Sequence, residues 1–261
     1  MTTVNPYAAP KAAVADQSVV LDADFVAGGQ SRPVGHGWSW IAEGWQLFKR
    51  QPGMWIGMVL VLFVIAIVTA FIPIVGGLAL SLFGPVFAAG FVMGCKALDS
   101  GQELELGHLF AGFRERTGTL VGVGAIYLAG SLVVMLVVGL SMGVGMAAMM
   151  GQADPATMSA MGMTMVLAML VMFALLLPLI MMIWFAAPLI VFHGQGAIEA
   201  MKGSFAGCLK NILPFLWYGV MFMVLALIAS LPLMLGWLAL GPTLIASIYT
   251  GYRDIYLKPR G

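Results

Sequence analysis

The feature that most constrains this chain is where charge is missing. No Asp, Glu, Lys or Arg occurs between Arg50 and Lys96, between Arg116 and Asp154, between Asp154 and Glu199, or between Lys210 and Arg253. A helix of about 20 apolar residues crosses the roughly 30 Å of bilayer hydrocarbon, and a charge at its centre costs on the order of 2.5–3.5 kcal/mol. Four such intervals therefore read as membrane. Composition agrees: 61% of the 261 residues are hydrophobic and 9% are charged, with a mean hydropathy of +1.01, too little polar surface to coat a water-soluble globule. A formal charge of +1 and so few cations exclude the dense basic surface that nucleic acid requires. Two cysteines make no disulfide framework.

The first and last intervals are long enough for two spans each, and turn signals divide them: Pro73 with Gly76 and Gly77, and Pro232 with Gly236. The two middle intervals hold one span each, separated by Gly151-Gln152-Ala153-Asp154-Pro155. The expected fold is an all-α integral membrane protein with six transmembrane helices, near 54–72, 75–96, 119–148, 163–192, 212–230 and 233–252. Six spans form three hairpins and put both termini, the 97–118 loop and the 193–211 loop on one side. All twelve Lys and Arg residues fall on that side and none in the three opposite turns, which makes it cytoplasmic. Residues 1–34 carry no cleavable signal pattern and read as a disordered cytoplasmic tail; residues 35–261 form one transmembrane domain.

The hairpins resemble one another. Gly84-Pro85, Gly90, Gly94 and Lys96 lie over Gly241-Pro242, Ser247, Gly251 and Arg253 without a gap, and Pro73 corresponds to Pro232. The step from Pro178 to Pro188 equals that from Pro232 to Pro242. Each hairpin follows a short stretch with apolar residues three or four apart: Trp38, Ile41, Trp45 and Phe48; Leu106, Leu109, Phe110 and Phe113; Ile198, Met201, Phe205 and Leu209. That spacing is helical, and each stretch ends in cations suited to anionic headgroups. The expected repeats, about 38–99, 104–194 and 195–256, each consist of an interfacial helix, a span, a turn and a span.

With Phe48-Lys49-Arg50-Gln51-Pro52, Leu109-Phe110-Ala111-Gly112-Phe113-Arg114, Trp184-Phe185-Ala186-Ala187-Pro188 with His193, and Ser204-Phe205-Ala206-Gly207-Cys208, the chain resembles an uncharacterised family of bacterial six-span inner-membrane proteins. The likeness covers residues 38–256. It implies three helical hairpins in the inner membrane and carries no activity with it.

Chemistry has few footholds. No ionisable residue sits well inside a span, which argues against a carboxylate-based proton relay. There is no zinc-hydrolase motif, nucleophile–base arrangement or room for a catalytic domain in loops of about 20 residues, so no enzyme and no cofactor are expected. Cys95, Cys208, His108 and His193 share the cytoplasmic side but lack local ligand spacing; buried thiols and interfacial imidazoles explain them better than zinc. Methionines crowd the outer side of the middle hairpin, and Met158, Met161, Met163 and Met165 are the candidate ligands for a soft ion such as copper. Methionine as flexible apolar filler is the competing explanation. Small residues four apart, Gly90 and Gly94, Gly139 and Gly143, Ser247 and Gly251, suit close helix packing. Trp38, Trp40, Trp45, Trp55 and Trp217 are expected in an aromatic belt, whereas Trp184 lies deeper and wants a partner for its indole N–H.

The function expected from these features is that of a multi-pass inner-membrane protein with a structural, accessory or regulatory role. Its partners would be the lipid bilayer and a membrane protein, not nucleic acid. A passive or lipid-directed carrier is the alternative, and copper binding the third reading.

Overall fold

The computed structural model describes residues 25–149 and 155–258, without side chains for 141–161. Its helices are α1 (His36–Arg50), α2 (Pro52–Ala70), α3 (Val75–Asp99), a 3-10 helix (Leu106–Phe113), α4 (Thr117–Met149), α5 (Pro155–Trp184), α6 (Ala186–His193), α7 (Ala197–Lys210), α8 (Ile212–Ser230) and α9 (Trp237–Tyr256). Among the described residues the only β pairing is an isolated antiparallel bridge between Phe25 and Leu257. Among the described residues the secondary structure is otherwise helical, in keeping with the hydropathy pattern.

Five stretches are long and apolar enough to cross a membrane: α2, α3, Thr117–Leu140 of α4, Gly162–His193, and α8. They are largely unburied within the protein, which is how helices look when lipid rather than protein covers them. The sixth expected span forms α9, beginning at Trp237 rather than 233 because residues 231–236 are spent in the turn. Leu233 and Met234 hold positive φ there, as Ile74 does in the first hairpin's turn. α9 differs from the others in being mostly enclosed, with buried Thr243, Ser247, Thr250, Tyr249 and Tyr252. Polar side chains are tolerated where neighbouring helices, not lipid, face them.

The expected fourth span is interrupted at Phe185, where α5 gives way to α6. Pro188 lacks an N–H and its ring crowds the carbonyl four residues earlier, that of Trp184. The released Phe185 N–H donates to the Ser204 hydroxyl at 2.9 Å, and that hydroxyl donates to the Met181 carbonyl at 2.6 Å. Pro85, Pro178 and Pro242 sit within unbroken helices.

Each short amphipathic element packs on a span supplied by an earlier or distant part of the chain: α1 on α9, the 3-10 helix on α3, and α7 on α5 and α6. Glycines make these approaches close. A Cβ on Gly44 would stand 2.6 Å from the Thr243 carbonyl oxygen, one on Gly112 would collide with the Val86 carbonyl, and one on Gly203 would lie 3.3 Å from the Leu189 side chain. Thr243, Val86 and Leu189 are the residues that follow Pro242, Pro85 and Pro188. The second amphipathic stretch is a 3-10 helix, with the Glu105 backbone N–H donating to His108 Nδ1 at 2.9 Å at its start.

The glycine pairs at 90 and 94 and the Ser247–Gly251 pair serve contacts within the chain. Gly90 faces the His108 and Leu109 carbonyls, Gly94 the Leu104 side chain, Ser247 meets Gly44, and Gly251 lies between Phe185 and Trp40. Gly139 has open space beside it.

Residues 25–34, assigned by composition to the disordered tail, are instead seated on the helix ends. Val26 N–H donates to the Tyr256 carbonyl at 2.8 Å and Gln30 N–H to that of Ile255 at 3.0 Å. The buried Asn211 accepts from Arg32 N–H at 2.8 Å and donates to the Gln30 and Gly207 carbonyls at 2.9 and 2.8 Å. A stretch poor in apolar bulk is ordered here by backbone pairing with a partner that lies more than 200 residues later in the chain, a source of stability that composition does not display.

Candidate functional site

The charged side chains gather where α1, α3 and α9 meet, at the end of the bundle where Phe25 pairs with Leu257. Asp254 is one hub. Its carboxylate accepts from the Trp40 indole N–H at 2.8 Å, pairs with His36 Nδ1 at 2.8 Å, and faces Arg32 Nε at 3.0 Å. Arg253, the adjacent residue, is the second hub: its guanidinium pairs with Asp99 at 2.6 Å and Glu43 at 2.7 Å, and Tyr249 Oη donates to the same Asp99 at 3.1 Å. Burial alone would lower the Arg253 pKa, but the Asp99 hydrogen bond and the Asp99 and Glu43 charges outweigh it, and the net shift is upward. Arg50 and Arg116 donate to the Leu98 and Gly194 carbonyls near the helix ends. These cations and carboxylates thus hold α1, α3, α9 and the 25–34 segment to one another.

Two tryptophans expected in an aromatic belt belong to the interior. Trp40 and Trp55 are fully buried, Trp40 because its N–H finds Asp254, Trp55 because its ring stacks on Phe91 and its N–H reaches the Leu47 carbonyl at 3.3 Å. Trp38, Trp45 and Trp217 are exposed, as belt residues are. Trp184 meets Phe215 and Tyr218 edge-on, with ring centroids 5.6 and 6.2 Å away.

Beneath the polar end lies an apolar cavity of about 560 Å³, walled by α2, α3, α4, α5, α6 and α9. Prolines 85 and 188 are in its wall, with Trp184 and Tyr127. The Ser81 hydroxyl in that wall donates to the Gly77 carbonyl, so it presents little free polarity. Four wall residues, Val92, Pro188, Ile245 and Ile248, are each followed one helical turn later by Lys96, Phe192, Tyr249 and Tyr252. These four form a layer one helical turn beyond the wall, toward the charged end. Phe192 lies 5.6 Å from Tyr252 and 6.3 Å from Tyr249, and the Lys96 ammonium stands 4.9 Å over the Phe192 ring. His193 bonds Tyr252 Oη at 2.5 Å and stacks on Phe25 at 3.8 Å, which ties this aromatic layer to the 25–34 segment.

The candidate metal ligands fall elsewhere. Met163 and Met165 lie on α5 with exposed side chains; two residues apart, they point about 200° from one another around the helix. Met158 and Met161 lie outside the residues whose side chains are described. Among the described residues no three His, Cys, Asp or Glu side chains gather to hold a metal. Cys95 and Cys208 are buried thiols; Cys208 reaches toward the Met181 carbonyl, and burial pushes its pKa up to about 12. The sequence named Gly84, Pro85, Trp184, Pro188 and Arg253 as repeat or aromatic features, but did not bring the hubs or the cavity together as sites. The prolines at 85 and 188 were the available signal for the cavity, since they recur at one position of successive hairpins.

The family model described as "Domain of unknown function (DUF7847)" matches residues 41–250. A protein of Burkholderia thailandensis named "Probable inner membrane protein" is 27% identical over 222 residues, which are 82% of this chain and 80% of that protein. No solved structure matches.

Proposed function

We propose, for this chain, which belongs to the DUF7847 family of domains of unknown function, a structural or accessory role in the inner membrane without catalysis. It is a multi-pass inner-membrane protein of unknown activity. The finer reading has six spans in three hairpin repeats, closed into a ring, with the charged end cytoplasmic. The contacts of Gly44, Gly112 and Gly203 with the residues following three corresponding prolines support the repeat, and α1 on α9 joins its ends. α9 counts as the sixth span because α1 and the neighbouring helices take the place of lipid around its polar face.

The observation that carries the accessory role is how the polar residues are used. Asp254, Arg253, Asn211 and Ser204 have their hydrogen-bonding groups directed at other parts of the chain, as in a framework rather than a reaction centre. The exposed Trp38 and Trp45 on α1 leave an apolar edge at the charged end for a membrane-protein neighbour. The test is photo-crosslinking in the native cells from residues substituted at Trp38 and Trp45. One recurrent membrane-protein adduct supports the role. No adduct, together with solute or lipid flux through vesicles that contain only this chain, would replace it with the carrier.

A further inference from the structure

We infer that the cavity is a binding site for a single acyl chain of a membrane phospholipid, held between the helices rather than on their outer surface. This inference rests on the cavity and its depth, apart from any accessory role.

Three observations fix the occupant. The first is chemistry. The wall is made almost wholly of aliphatic and aromatic surface; its serine hydroxyl is already bonded to Gly77, and the Tyr127 hydroxyl and Trp184 indole N–H are the other polar side-chain groups among the lining residues. Water needs two to four polar partners apiece, and so few polar groups on an otherwise apolar wall could hold water in only a small part of the space, while an empty void would forfeit the dispersion contacts of its whole lining. At about 560 Å³ the space falls among those that hold small ligands, roughly 300–1,000 Å³.

The second is depth. Along α3 the wall runs from Val92 to Leu80, seven to nineteen residues before Asp99 at the charged end. At 1.5 Å per residue this is about 10 to 28 Å below that end, which is the hydrocarbon layer. The molecules present in bulk at that depth are lipid chains.

The third is access. Lys96, Phe192, Tyr249 and Tyr252 form a layer between the wall and the charged end, and His193 with Phe25 braces them. The way in is lateral, past Gly84, which lines the cavity, is exposed, and has no neighbour within 4 Å of where a Cβ would stand. α2 and α4 on either hand present exposed Phe63, Ile67 and Ile126 to the bilayer, so the mouth opens from lipid-covered surface. A glycine there leaves room for a chain to pass the helix.

The test uses the full chain extracted from its own membrane in mild detergent and examined by native mass spectrometry. The wild type should carry one phospholipid per chain. Gly84→Phe places a ring in the mouth with no backbone to strike, and Ala66→Phe fills the cavity from the facing wall of α2. Each should lower phospholipid occupancy at least tenfold. Gly139→Phe puts the same ring on an open, lipid-facing position of α4 away from the cavity and should leave occupancy unchanged. Thermal unfolding checks that each variant is folded, and either plug alone suffices if the other is not. A bare wild-type chain, a retained isoprenoid in place of phospholipid, equal loss in the Gly139 variant, or full occupancy in the folded plugs would each overturn the inference.

Discussion

Asn211 shows at the scale of one residue how a polar side chain seats a segment poor in apolar bulk on the helix ends. It is buried, and its amide is shared among Arg32 N–H, the Gln30 carbonyl and the Gly207 carbonyl, so it joins the 25–34 segment to α7. Asn211→Ala removes all three bonds and leaves buried groups unpaired, a cost of about 1–3 kcal/mol. That loss falls on the local opening of the segment. The Val26 and Gln30 amides, bonded to Tyr256 and Ile255, should then exchange with deuterium roughly tenfold to a hundredfold faster while the spans stay protected. Unchanged exchange would show that Arg32, His36 and Asp254 hold the segment without Asn211. None of this was legible in the sequence. Asp254 bonds residues 214 to 222 positions away, and a lone carboxylate beside an arginine at a helix end carries no mark of such partners. Trp40 is the same case: its place in the amphipathic stretch fits a belt or a core equally, and only the distant Asp254 decides for the core.

At the scale of elements the sequence was most informative where a single physical rule dominates. The hydrocarbon excludes charge, so α2 and α8 begin, and α3 ends, within a few residues of the limits of the charge-free intervals, while their other ends fall at the turns marked by Pro73 and Pro232. The rule weakens where protein replaces lipid, and α9, packed on α1, carries the buried polar Thr243, Ser247 and Thr250 within its length. It also does not foretell breaks inside an apolar run: Pro178 and Pro188 look alike in sequence, but Ser204 waits opposite the freed Phe185 N–H only at the second. The α1–α9 contact has its own test. A Cβ at Gly44 would press on the Thr243 carbonyl and on the Ser247 N–H at 2.9 Å, and backbone in two helices cannot step aside as a side-chain tip can. Gly44→Val should therefore destabilise the protein by about 1–3 kcal/mol, as overpacking does. Gly57→Ala, in α2 with open space around it, should be neutral or stabilising by up to about 1 kcal/mol. Thermal unfolding in detergent measures both, and equal effects would mean that α1 is not held tightly on α9.

For the whole molecule the open matter is its direction in the bilayer, which the distribution of cations predicts and the fold leaves free. Arg32, Arg50, Arg116, Lys210 and Arg253 all take part in contacts at the end where Phe25 pairs with Leu257, and the turns at residues 71–74 and 231–236 contain no charge. The cytoplasmic leaflet retains such an end because moving its charges across hydrocarbon during insertion is costly. The two native cysteines are poor reporters of this. Both are buried, and burial pushes the Cys208 pKa up to about 12, so they resist thiol reagents from either side. A chain with both replaced by serine or alanine, carrying one new cysteine at a time, separates sidedness from burial. Leu235→Cys, on the exposed, charge-free turn before α9, should react with a membrane-impermeant maleimide in intact cells. Glu103→Cys, exposed in the loop after α3, should react only once the inner membrane is opened. The reverse pattern would turn the protein over, set its polar hubs facing outward, and move the lateral mouth at Gly84 from the outer half of the bilayer to the inner half, so that the acyl chain it receives would come from the opposite leaflet.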